Sequence, residues 1–131
     1  MDEDQLFEMH CLKEWNFVVN EWHGWGKRWP QDAYMWSLIT TFLARGYDRR
    51  LFPRPYNYTL ALLRTRDDGD IEQPRIMFVP RGNMRMEAAM FGAGLNIQLR
   101  KETVDISPAV DNLLNMLLAY PIDYNSLKKF L

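Results

Sequence analysis

Cysteine and histidine are scarce: Cys11 stands alone, and His10 and His23 are the two imidazoles. A single thiol forms no disulfide within the chain and suits a reducing compartment. Zinc needs about four converging ligands, usually delivered as close pairs. On a helix His10 and Cys11 point about 100° apart, and His23 follows far along the chain, so the three do not converge on a metal. Cys11 falls on an apolar stripe and is expected as a small core residue rather than a nucleophile. His10 and Glu14, one helical turn apart, are expected to make a weak surface contact. No metal and no other cofactor is expected.

Other absences narrow the field further. The start "MDEDQLF" is acidic, without the basic opening and apolar run of a signal peptide, and no apolar stretch approaches the roughly 20 residues of a membrane span. A soluble, cytoplasmic protein with no membrane association is the expectation. Ser37, Ser107 and Ser126 lack a GxSxG context, and "HGWGKR" and "FGAGL" complete neither of the glycine-rich phosphate loops. "RDDGDIE" gathers acids without the spacing of a calcium loop, so it reads as a solvated hairpin tip. No catalytic residue emerges, and a non-enzymatic role is favoured. Repeats, low-complexity tracts and linker-like composition shifts are also missing.

What is present is apolar and aromatic. Hydrophobic residues make up 47% of the 131 and aromatic ones 14%, too many for a disordered chain and enough for one domain. A chain of this length buries roughly 68% of its unfolded surface and needs no staples to build a core. The net charge of −1 conceals an asymmetry: residues 1–44 hold seven acids and three bases, 45–101 six and eleven, 102–131 four and two. A basic middle between acidic ends lets the ends neutralise it, or presents a basic face to an acidic partner.

Periodicity predicts an α+β domain spanning 1–131. Phe7, Cys11, Trp15, Val18 and Trp22 form a helical stripe over about 4–22, ended by Gly24 and Gly26. A second helix over about 31–45, capped by Gly46, completes a helical hairpin. The segment "YDRRLFPRPYNY" reads as irregular. "TLALLRTR", "RIMFV", residues 84–91 and "LNIQLRK" then give a four-stranded antiparallel meander with one wet face, although 84–91 also admits a helix. Ser107 and Pro108 open a C-terminal helix, Pro121 ends it, and Asp123 starts a short last one. One or two C-terminal helices should thus pack on one sheet face.

Two binding functions compete. Arg, Trp, Tyr and Met are enriched at the centres of protein interfaces, and the chain holds eleven arginines, five tryptophans, six tyrosines and eight methionines. The favoured reading is a protein-interaction module, as an inhibitor, immunity protein, adaptor or assembly component, binding another protein or itself as a homo-oligomer. A viral or bacterial antagonist fits these features. Its expected surface is Trp25, Arg28, Arg49, Arg50, Phe52, Arg54 and Tyr56. The alternative is single-stranded nucleic acid, held by Arg45, Arg49, Arg50 and Arg54 with Tyr56 and Tyr58 stacking on bases and Arg64 and Arg66, joined by Arg75, Arg81 and Arg85 if they share the wet sheet face, extending the track. The pI near 6.1 speaks against that alternative.

Overall fold

The computed structural model describes residues 2–25, 30–56, 59–65, 73–81, 85–99 and 106–122, without the side chains of 22–25 and 30–34. The fold is α+β. Helices α1 (Glu3–Trp25) and α2 (Pro30–Ala44) come first, then a 3-10 turn at Tyr47–Arg49. Strands β1 (Phe52–Tyr56), β2 (Thr59–Leu63), β3 (Arg75–Arg81), β4 (Arg85–Gly92) and β5 (Leu95–Leu99) follow, and α3 (Pro108–Leu118) closes the described part. The strands form one sheet in chain order, every neighbour antiparallel.

The termini of the helices carry their own chemistry. Asp2 Oδ1 accepts from the Gln5 amide at 2.8 Å while Gln5 Oε1 accepts from the Asp2 amide at 3.1 Å, a reciprocal cap that starts α1. Glu3 and Asp4 add negative charge in the first turn, where the helix dipole favours it. Gly46, at φ 78°, takes the left-handed conformation that follows α2. Ser107 caps α3, its hydroxyl accepting from the Val110 amide at 3.2 Å, and Pro108 occupies the first helical position. The second C-terminal helix expected from Asp123 onward lies outside the described residues, as does the acidic hairpin tip.

Among the described residues the meander has five strands, where four were expected. The extra one is β1, "FPRPY", in the segment read as irregular. Proline demotes a strand because it lacks the ladder's N–H, yet Pro53 and Pro55 are two residues apart and present their nitrogens to the same side. On an edge strand that side needs no partner, and β1 is an edge. Pro80 is accommodated similarly: β3 continues through it, but β2 pairs with β3 only from Arg75 to Phe78. Residues 85–92 settle as strand, with Met86, Ala88 and Met90 buried in alternation.

Two apolar regions result. Leu60, Leu62, Ile76, Phe78, Met86, Ala88 and Met90 form one sheet face, packed against Trp15 and Val18 of α1, Met35, Leu38, Ile39 and Phe42 of α2, and Val110, Leu113, Leu114 and Leu117 of α3. A smaller cluster joins Phe7 and Cys11 of α1 to Phe52, Ala61 and Leu63 on the other face. Phe7 and Phe52 meet edge to face at 5.2 Å. The α1 helix serves both, and Trp15 Nε1 donates to the buried Leu51 carbonyl at 2.8 Å. His10, expected at the surface, is buried, because α1 packs against both β1 and the 3-10 turn. Glu14 pairs with Arg54.

Candidate functional site

The arginines of residues 45–64 are largely spent inside the fold. Arg45 Nη1 donates to Asp111 of α3 at 2.6 Å and lies 3.4 Å from the Tyr47 hydroxyl. These two contacts, with Tyr47 first and Asp111 second, hold its guanidinium charged more firmly than usual. Arg54 meets Glu14 of α1 at 3.2 Å with both side chains only about one-fifth exposed. Arg64 donates to the carbonyls of Tyr120 at 3.2 Å and Arg50 at 2.9 Å and covers the Phe7 ring at 5.7 Å. Arg49 approaches Glu8 at 3.5 Å. The pairs with Asp111, Glu14 and Glu8 join the basic middle of the chain to its acidic ends, which accounts for much of the charge asymmetry by internal neutralisation.

This redistributes the expected binding residues. Phe52, expected on the surface, is fully buried against Phe7 and supports the fold from beneath. Arg45, Arg54 and Arg64 act as staples between elements. Arg49 is exposed, as are Arg50, whose guanidinium sits 6.0 Å from the Tyr47 ring, and Tyr56 at the end of β1. The Trp25 side chain, Arg28, Tyr58 and Arg66 lie outside what is described, as does the Trp22 side chain expected in the core. Cys11 is buried without exposure, and burial pushes its thiol well above the ordinary range, which removes it as a nucleophile at neutral pH.

A richer surface lies on the sheet, where Arg75, Arg81 and Arg85 share one face, as expected of a continued basic track, and an apolar strip lies between them. Register places Met77 and Val79 of β3 beside Ala89 and Glu87 of β4, with Phe91 opposite Arg75 and Asn96 and Gln98 of β5 next along. These residues share the face opposite the main core. Its β1–β2 end is covered by Phe7 and Cys11, but over the β3–β5 part no described helix packs. Met77, Val79, Ala89 and Phe91 stay half-buried there. They floor a shallow depression of about 260 Å³, rimmed by Arg81, Glu87 and Gln98. Arg75, Arg81 and Arg85 lie on this face, and Glu87, 3.1 Å from Arg81, is the acid among its described strand residues. The available signal was "RIMFV": a strand with one wet face alternates, whereas this one is apolar on both.

A second depression of about 320 Å³ lies over the start of α1, between Arg49, Arg50 and Arg64 on one side and Asp2, Asp4 and Glu8 on the other. Its mixed charges select for no single ion. Among the described residues no cluster of His, Cys, Asp or Glu is arranged to hold a metal ion, and no helix is long and apolar enough to cross a membrane. Comparison of the chain with protein-family models, with curated proteins and with solved structures found no match in any of the three.

Proposed function

We propose that the chain is a protein-binding module of non-catalytic type, whose partner lies across the β3–β5 part of the sheet. The observation that carries this reading is the strip Met77, Val79, Ala89 and Phe91, half-buried and apolar, bordered by Arg75, Arg81 and Arg85 on a face with no described helix over it. An apolar centre inside a polar, charged rim is the anatomy of a protein interface, with an aromatic residue as anchor and arginines at the margin. The excess of arginine over acid on this face favours an acidic partner, and guanidinium groups offer it paired, planar contacts. An inhibitor, adaptor or assembly component works this way, by occlusion or scaffolding.

A second reading has its own support. Phe91 lies opposite Arg75 in the ladder, and an accessible ring beside a guanidinium on a sheet suits a stacked base with its phosphate. One experiment separates the two. A photo-crosslinking phenylalanine analogue at position 91 is expected to form a covalent adduct with a protein in the cells that produce the chain, and the adduct is expected to vanish when Arg75 and Arg81 are changed to Glu. An adduct with nucleic acid establishes the second reading instead. No adduct at 91 overturns both.

A further inference from the structure

We propose that the strip on β3–β5 takes one helix of the partner, amphipathic and acidic, lying along the strands beside α1. This rests on the reading of the strip as a protein-binding surface and names what fills it.

Width and depth select the shape. On this face α1 covers Phe52, Ala61 and Leu63 with Phe7 and Cys11, and Leu6, Ile122 and Met77 border the same cluster, so the strip begins where that cover ends. From there β3, β4 and β5 follow in order. Neighbouring strands lie about 4.8 Å apart, so the three span about 10 Å, the diameter of one helix with its side chains. The cover over β1 and β2 raises that end by a layer and holds a broad, flat partner off the strip, while a strand pairs at an edge and not on a face. A helix beside α1 completes the layer. Between Arg75 and Arg81, the two ends of β3, the strand runs about 20 Å, which about 13 helical residues match.

Charge selects the chemistry. Arg81 and Arg85 stand directly opposite each other in the β3–β4 ladder, and like charges so placed destabilise a sheet. Glu87 meets Arg81 at 3.1 Å and Arg85 is exposed, so one acid on these strands serves two bases. An unfavourable pair is thus kept at the margin of an apolar strip, and a carboxylate brought from outside turns it into a favourable one. A second copy laid face to face sets arginine against arginine whichever way the two-fold axis runs, so the occupant is a different chain. Its apolar side chains, at i, i+3, i+4 and i+7, meet Met77, Val79, Ala89 and Phe91, and its Asp or Glu residues meet Arg81 and Arg85.

Selection of phage-displayed random peptides of about 15 residues on the full chain tests it. Enriched sequences are expected to be apolar at i, i+3, i+4 and i+7, to hold more Asp and Glu than Lys and Arg, and to turn helical on binding by circular dichroism. Arg85→Glu replaces the like-charged pair with an opposite one, so this variant should melt no lower than the wild type. It should nevertheless bind the enriched peptides about tenfold more weakly. Enrichment of basic or strand-period sequences, equal affinity for the Arg85→Glu variant, or no enrichment overturns the proposal, as does an adduct of position 91 with the chain's own residues or with a second copy. The protein-binding reading is judged apart, by the adduct of position 91 with a protein.

Discussion

Gly92 gives the sharpest test of how the sheet is packed. It ends β4 at φ 91°, and a Cβ built on it would lie 2.4 Å from the Gln73 carbonyl oxygen and 3.0 Å from Pro74 Cα. Both atoms are backbone, so no side chain can swing aside. Gly94, two residues on, has φ 77° and nothing within 4 Å of its would-be Cβ. Alanine at either position adopts a left-handed conformation at about 1–2 kcal/mol, offset by about 0.5–1 kcal/mol because alanine has less freedom to lose from the unfolded chain. Only Gly92→Ala adds overpacking, about 1–3 kcal/mol when packed backbone must shift. The difference between the two variants therefore isolates the clash. For a chain of this length 1 kcal/mol moves Tm by about 3–4 °C, so Gly92→Ala should melt about 3–12 °C below Gly94→Ala. Urea unfolding followed by tryptophan fluorescence gives the same comparison at constant temperature. If the two variants agree within about 0.5 kcal/mol, given the precision of such midpoints, the close approach of β4 to the Gln73–Pro74 backbone is refuted.

Trp15→Phe removes the donor to Leu51 and leaves a buried carbonyl unpaired, so urea unfolding should show a loss of about 1–3 kcal/mol beyond the smaller ring's packing cost. Ser107→Ala should cost about 1 kcal/mol and raise amide exchange in the first turn of α3. The Cys11 thiol should resist alkylation in the folded protein and react on unfolding. Because burial raises its pKa in the folded state, the unfolded chain releases that proton first. Stability from this group is complete below about pH 8.5 and falls as pH rises beyond it, by at most about 1.4 kcal/mol per unit. Comparing pH profiles of wild type and Cys11→Ala between pH 8 and 10 checks the sign.

Much of the architecture was legible because it depends on local period. The stripe Phe7, Cys11, Trp15 and Val18, the cap at Ser107 and the alternation of Met86, Ala88 and Met90 all carry their meaning within a few residues. Strand β1 was not legible, because proline at 53 and 55 is tolerated only at an edge, and edges are decided by pairing across the chain. The same reason hides the surface from any single segment. Arg45, Arg54 and Tyr56 are close in sequence, but Arg45 answers Asp111, Arg54 answers Glu14 and Tyr56 lies exposed at the end of β1. The strip from Met77 to Phe91 is assembled by register between strands, and no single segment displays it.

The place of α1 in the chain has a consequence for synthesis. Its apolar stripe is made before its partners in the smaller cluster, Phe52, Ala61 and Leu63, which come some forty to sixty residues later. At about 5–20 residues per second, Phe7 and Cys11 wait several seconds for the strands that cover them. The self-contained cap of Asp2 and Gln5 needs no strand and can form at once. The nascent chain thus carries the apolar stripe of α1 without its sheet partners until β2 emerges.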